Sequence, residues 1–115
     1  MAKQISIDAA EAFMNRKSFN RSNTEVKNNF DSERTQRTQL FLFGNLIATH
    51  MEDGSLRVGN QGYETTTTKE RLNALPGVSI HQKDFQWYLN DFQWDGKWID
   101  PAKILLRVLD IKDAA

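Results

Sequence analysis

The sequence predicts a single α+β domain. In it an N-terminal helix, a three-stranded antiparallel meander, a second helix, a further β-hairpin and a C-terminal helix pack on one small sheet. Three observations predict this class. A chain of 115 residues has room for one domain. Apolar residues recur at helical spacing near both ends, and the tight-turn dipeptides Gly44-Asn45 and Asp53-Gly54 separate short apolar runs between them.

An apolar stripe at helical spacing predicts the first helix over residues 7–16. The stripe consists of Ile5, Ala9, Ala12 and Phe13. Ser6 or Asp8 can cap this helix, and Asp8 with Glu11 has the spacing of a capping box. Positive charge at its end suits the negative end of the helix dipole.

Residues 17–37 are mostly polar, and the sequence predicts a mobile loop there with a short strand around residues 24–27 as an alternative. Phe19, Val26 and Phe30 are the few candidates for burial in this segment. The remaining residues include several lysines and arginines, which would suit a contact that orders the loop on binding.

The meander is predicted from three apolar runs at residues 38–43, 46–51 and 55–58. The dipeptides Gly44-Asn45 and Asp53-Gly54 are typical of the tight turns that would join them. The first run has four consecutive apolar residues, so this strand is expected to bury both of its faces.

The second helix is predicted to begin in a run of threonines, because Thr67 and Glu70 have capping-box spacing. Leu72 and Leu75 supply its apolar edge, and Pro76-Gly77 ends it.

A hairpin is expected next, with one strand around Val78 and Ile80, a turn at Lys83-Asp84, and a return strand over residues 86–90. Asp95-Gly96 indicates one more tight turn.

Asp100-Pro101 is typical of a helix start, with aspartate as the N-cap and proline at the first helical position. The predicted C-terminal helix runs to about Lys112, and a strand is the alternative for residues 104–109. Its apolar stripe, which could also form a dimer seam, consists of Ile104, Leu105, Val108 and Leu109.

Composition excludes several classes of function. The chain has 15 basic and 15 acidic residues, whereas proteins that mainly grip a phosphate backbone usually carry a basic excess. The absence of cysteine excludes disulfides, thiolate metal sites and cysteine nucleophiles. Neither a signal peptide nor an apolar run of membrane-spanning length is visible, so a cytoplasmic location is expected.

Four segments carry a likeness to a known family. They are GNLIA at 44–48, TTKERLNALPGV at 67–78, WYLN at 87–90 and WDGKW at 94–98. Through these segments and the opening helix, the chain resembles a family of small uncharacterised bacteriophage proteins. The resemblance implies a phage or prophage origin, a location in the host cytoplasm and a non-structural role. It does not extend over residues 100–115, which are expected to be a C-terminal extension.

No catalytic, cofactor-binding or metal-binding pattern stands out, since His50 and His81 lack metal-site spacing and no nucleophile motif is present. The sequence therefore predicts a non-enzymatic protein without cofactors.

Two sites remain candidates. The threonine run with Lys69 and Arg71 could hold an anion, although the simpler alternative is a helix cap with both cations in solvent.

The second candidate site is a group of aromatic residues near tight turns, which favours a contact surface for a host protein. A platform that stacks single-stranded nucleic acid is the alternative, and it would show salt-dependent quenching of tryptophan fluorescence. The predicted contact residues are Tyr63, Lys69, Arg71, Trp87, Tyr88, Trp94 and Trp98. Inhibition of a host enzyme is the expected form of activity.

Overall fold

Two helices, a five-stranded sheet and a three-stranded sheet make up the computed structural model, which describes residues 3–30, 35–62 and 64–103. The α+β class is confirmed, but the strands form two sheets where the sequence predicted one. Among the described helices, none is long and apolar enough to cross a membrane. In chain order the elements are α1 Gln4–Met14, β1 Phe19–Arg21, β2 Thr24–Phe30, β3 Gln36–Leu42, β4 Asn45–His50, β5 Leu56–Val58, α2 Thr66–Asn73, β6 Ile80–Lys83, β7 Gln86–Leu89 and β8 Phe92–Gln93.

The five-stranded sheet is antiparallel throughout, and its strands lie in sequence order from β1 to β5. The predicted meander corresponds to β3, β4 and β5. The loop predicted over residues 17–37 is wrong where β1 and β2 lie, because β2 pairs with β3 along its whole length, from Thr24–Leu42 to Phe30–Gln36. The sequence gives little sign of strand β2, because most of its residues are polar and only Thr24 and Val26 are buried. Residues 31–34 lie outside the described part, so the predicted mobility stays a prediction.

Strand β3 buries one face rather than two. Leu40 and Leu42 lie in the core, whereas Phe41 between them is half-buried. Successive side chains of a strand face opposite sides, so alternate residues of β3 meet the core. Phe43 leaves the strand and forms the β3–β4 turn with Gly44, one residue earlier than predicted.

Helix α1 begins three residues earlier than predicted, after Lys3, which makes no side-chain cap. Its apolar stripe is confirmed, because Ala9, Ala12 and Phe13 are buried against the sheet. Ser6 and Asp8 therefore lie inside the helix and do not cap it.

Helix α2 is capped by Thr65 instead of Thr67. The Thr65 Oγ1 accepts a hydrogen bond of 3.1 Å from the Thr68 N–H, and the two hydroxyls lie 3.0 Å apart. Glu70 consequently takes no part in a capping box, and its carboxylate lies 3.5 Å from the Lys3 Nζ. The predicted apolar edge, Leu72 and Leu75, is buried.

The small sheet has the order β6-β7-β8, and two tight turns join its strands. The first turn is Asp84-Phe85, one residue later than predicted, and the second is Asn90-Asp91. All four turn residues have positive φ, as a type I′ turn requires.

After the small sheet, the predicted turn at Asp95-Gly96 is present, since the Lys97 N–H donates to the Asp95 Oδ1 at 3.0 Å. Asp100 is the N-cap as predicted, because its Oδ1 accepts from the Ala102 N–H at 2.9 Å. Residues 101–103 are helical, and the rest of the predicted C-terminal helix lies outside the described residues, together with its proposed dimer seam.

A buried histidine should make stability depend on pH. His50 packs against Phe13, with its Nδ1 3.3 Å from the Phe13 carbonyl oxygen. Burial lowers the pKa of His50 below its usual 6.5, and the nearby Arg16 guanidinium acts in the same direction. The unfolded chain therefore binds a proton more readily than the folded one. We expect the free energy of unfolding to fall as the pH drops below about 6.5.

Urea denaturation on either side of that pH measures this effect. In His50→Gln the free energy of unfolding should depend less on pH. Carboxylates change the free energy of unfolding only at lower pH. The pKa of Asp8 is lowered by its hydrogen bond to Arg21, and that of Asp53 by its hydrogen bond to Ser55, so both contribute only near or below pH 3.8. An equally steep dependence in His50→Gln would contradict the assignment.

Candidate partner-binding surface

The β6–β7 hairpin displays a phenylalanine at its tip. Phe85 is 92% exposed and has a φ of 66°. Glycine is the usual residue at this position of a tight turn, because an L side chain in the left-handed region costs about 1 kcal/mol. The hairpin thus carries an aromatic ring in solvent at a cost to its own stability.

Two depressions flank Phe85. The first has a volume of about 680 Å³ and lies between α2 and β6, where Lys69, Asn73 and Gln82 line it. The second has a volume of about 580 Å³ and lies toward β8, where Gln86 and Gln93 line it. Phe85 borders both. Phe85 with these two depressions is called the hairpin surface below.

An aromatic pair lies on the outward face of the hairpin. His81 and Tyr88 are directly opposite each other on β6 and β7, and their rings stack with centroids 5.2 Å apart and planes 8° apart. Each ring covers one face of the other. Such cross-strand pairs stabilise a hairpin by a few tenths of a kcal/mol to about 1 kcal/mol.

Lys69 brings a positive charge from α2 to the hairpin. Its Nζ donates to the Gln82 Oε1 at 3.2 Å and lies 5.6 Å from the centroid of the Trp87 ring. Among the described residues, no carboxylate lies within ion-pair distance of this ammonium group. Lys69 is therefore a cation whose charge is not neutralised by a neighbouring acid.

Two of the predicted contact residues are part of the core. Trp87 is 1% exposed and Trp94 is 5% exposed, and their rings pack 6.2 Å apart. The Trp94 indole N–H donates to the Lys97 carbonyl oxygen at 2.9 Å. Their prediction as contact residues is corrected, because they hold the hairpin on the rest of the domain instead of facing a partner.

Arg71 is also buried, with 4% of its surface exposed. Its guanidinium donates to Ser6 and Thr24 at 2.8 Å each and to Asn23 at 3.2 Å. Burial lowers the pKa of the Arg71 guanidinium below its ordinary value. The expectation that Arg71 points to solvent is wrong, and the proposed anion site loses one of its two cations.

Of the other predicted contacts, Tyr63 lies outside the described residues. Trp98 is 43% exposed and covers Gly59, where an added Cβ would come 3.0 Å from the indole. Lys69 and Tyr88 are the two that the fold brings to the hairpin near Phe85. Phe85 is one of the aromatic residues near tight turns in the sequence, but it was not among the predicted contact residues, although its place beside Asp84, between two alternating strands, is a signal for a turn tip.

No metal site is evident within the described part of the chain, where no three histidine or acidic side chains lie together.

Comparison with known proteins adds a family. No curated protein and no solved structure matches the chain. The model of the Kyanoviridae Gp96 protein family matches residues 2–102, a range that includes every helix and strand named above. The resemblance to a phage family is thereby confirmed, and the chain belongs to the Kyanoviridae Gp96 protein family of phage proteins.

Proposed function

We propose that this phage protein binds a protein of the host bacterium through the hairpin surface and alters that protein's activity, with inhibition as the expected form. The observation that carries the proposal is Phe85. A large apolar side chain that costs stability, packs against almost nothing in its own domain and stands between two depressions is best explained by a contact made with another molecule.

The geometry suits a protein partner. Aromatic residues that enter a partner's pocket are frequent hot spots of protein interfaces, and loss of one costs about 2 kcal/mol or more. Depressions on both sides of Phe85 would receive the groups that surround such a pocket. The buried Trp87 and Trp94 anchor the hairpin, so little conformational entropy would be lost on binding.

Single-stranded nucleic acid is less well supported as the partner. A stacking platform needs several free ring faces side by side, but Trp87 and Trp94 are buried, and His81 and Tyr88 stack on each other. Phe85 and Trp98 are the exposed rings named above. The formal net charge of zero offers little attraction for a phosphate backbone. Both arguments favour a protein.

Phe85→Gly tests the proposal, because it should separate stability from binding. The change produces an Asp-Gly turn, which suits the positive φ of 66°, so we expect the free energy of unfolding to rise by about 0.5–1 kcal/mol. We expect affinity for the host partner to fall by about thirtyfold, since the anchor is lost. The wild-type protein is used to capture partners from host lysate, and the captured protein is then purified and titrated against both variants.

Phe43→Asn is the matched control. Phe43 occupies the β3–β4 turn with a φ of 51°, is 69% exposed, and precedes Gly44, so this change also improves a turn and removes an exposed ring. We expect higher stability and unchanged partner affinity. The proposal is wrong if the captured protein binds Phe85→Gly as tightly as wild type, or if folded wild-type bait captures nothing above background.

A further inference from the structure

Strand β6 is an edge of the small sheet, and its outward backbone groups can be assigned. The two-residue turn makes Lys83 and Gln86 a hydrogen-bonded pair, so such pairs recur at every second residue along β6. The Asn90 N–H, which donates to the Ser79 carbonyl at 2.7 Å, fits this register. It follows that Ile80 and Gln82 direct their N–H and C=O groups away from β7, toward α2.

The outward N–H and C=O of Ile80 form hydrogen bonds with the side chain of Asn73, as they would with the backbone of a neighbouring strand. The Ile80 N–H donates to the Asn73 Oδ1 at 2.5 Å, and the Asn73 Nδ2 donates to the Ile80 carbonyl at 3.0 Å. The Asn73 amide thus occupies the place that a peptide group of a neighbouring strand would take. It marks the line along which an added strand would run.

The outward groups of Gln82 have no such cover. Neither its N–H nor its carbonyl has a partner outside the β6–β7 ladder among the described residues, although its side chain accepts from Lys69. Gln82 itself lines the first depression, between β6 and α2, so this is the side toward which the register directs both groups. One face of α2 forms the opposite wall, which consists of Thr66, Lys69, Glu70 and Asn73.

Of the other three edge strands in the described part, β5 is covered at Val58, β8 is very short, and β1 has only three residues. Val58 at the outer strand β5 exchanges two backbone hydrogen bonds with Ile99, at 2.9 and 3.1 Å. Strand β8 has only two residues, and the Gln86 amide occupies the neighbouring Trp94 carbonyl. Proteins usually cover or shorten their edges in this way, because an open edge can recruit another strand. Strand β6 is the edge strand in which a residue with unpaired outward backbone groups, Gln82, also lines a depression.

We infer that the first depression, between α2 and β6, receives an extended segment of the host partner, which adds to the edge of β6 at Gln82, next to the position that Asn73 occupies. This inference rests on the proposed function and states how the partner is held. The backbone of the segment pairs with the N–H and C=O of Gln82, which is the general mode of recognition by strand addition. Lys69, which has no acidic neighbour within ion-pair distance, favours a segment with an aspartate or glutamate, and Phe85 contacts the partner at the end of the depression.

Gln82→Pro is the decisive variant. Proline lacks the outward N–H and places its ring in the depression, yet the β6–β7 ladder uses the N–H groups of His81 and Lys83 and so stays intact. Gln82→Ala is the matched control, because it removes the side chain and keeps the backbone donor. Circular dichroism and thermal unfolding establish that each variant is folded.

The probe is a displayed library of random linear peptides, selected on the wild-type protein. We expect the selected peptides to contain acidic residues and to bind Gln82→Pro about tenfold more weakly or worse, which corresponds to the loss of one or two hydrogen bonds. Binding to Gln82→Ala should stay within about threefold of wild type. Hydrogen exchange of the Gln82 amide should slow when a selected peptide is added to the wild-type protein, and this measurement decides the matter if Gln82→Pro does not fold.

Selection of no peptide, equal binding to Gln82→Pro, or unchanged exchange at Gln82 would overturn the inference. A dimer of this chain that Gln82→Pro dissociates would overturn it too, since a second copy would then occupy the edge. Failure of this inference differs from failure of the proposed function. A host protein that is lost by Phe85→Gly but retained by Gln82→Pro leaves the proposed function standing, whereas one retained by both contradicts it.

Discussion

Replacing Arg71 with methionine is expected to lower the free energy of unfolding by about 3 kcal/mol. The Arg71 guanidinium links α2 to two segments far away in the sequence, because it donates to Ser6 in α1 and to the adjacent Asn23 and Thr24 at the start of β2. Methionine fills much of the same volume but donates nothing. Since small domains have a total stability of about 5–15 kcal/mol, this loss is a large fraction of the whole.

Arg21→Met is the control for that experiment. Arg21 also makes a 2.7 Å ion pair, with Asp8, but its side chain is largely exposed. Exposed pairs contribute at most about 1 kcal/mol, so the change in stability should stay below that value. Urea denaturation followed by the fluorescence of the buried tryptophans measures both variants. Equal losses for the two arginines would show that burial of Arg71 does not carry the effect.

Gly96→Ala is expected to lower the free energy of unfolding by about 3 kcal/mol or more, for two reasons that add. Gly96 has a φ of +86°, a conformation that costs an L residue about 1 kcal/mol. An added Cβ would also lie 2.5 Å from the Asn60 Cγ, and closer still to both ends of that side chain. Asn60 cannot move away easily, because it is buried and its Oδ1 accepts from the Gly62 N–H at 2.9 Å.

Gly54→Ala separates these two reasons. Gly54 has a φ of +91°, but no described atom lies within 4 Å of an added Cβ, so only the backbone cost of about 1 kcal/mol applies. The difference between the two variants, measured by thermal and urea unfolding, gives the cost of the overlap with Asn60. If Gly96→Ala were no worse than Gly54→Ala, the packing of Asn60 under this turn would be looser than the structure shows.

Turn chemistry and apolar spacing predicted most elements, with errors of up to three residues at their ends. The turns near Gly44 and Asp84 were each displaced by one position, because Phe43 and Phe85 occupy φ values that sequence reasoning reserves for glycine or asparagine. Strand β2 was predicted only as a short strand around residues 24–27, because it buries only two of seven residues and its support comes from pairing with β3. Pairing between strands depends on distant residues, which local patterns do not report.

The candidate site shows the same division. Alternation along a strand requires that Trp87 and Tyr88 face opposite sides of the sheet, and in β7 they do. It did not predict which of the two would be buried, because that depends on where the rest of the domain packs. Trp87 meets Trp94 in the core, and Tyr88 remains half-buried against His81.

The amino-acid sequence by itself determined the α+β class, the helical and strand segments with the strongest periodicity, the helix start at Asp100, and the resemblance to a phage family. Local spacing and turn residues suffice for these features. Tertiary structure decided that Arg71 is buried and links α2 to α1 and β2, and that Phe85 is exposed at a hairpin tip. It also decided that Gln82 lies on a strand edge beside a depression. Burial and free edges are properties of packed surfaces, so they exist only once helices and strands from distant parts of the chain have come together.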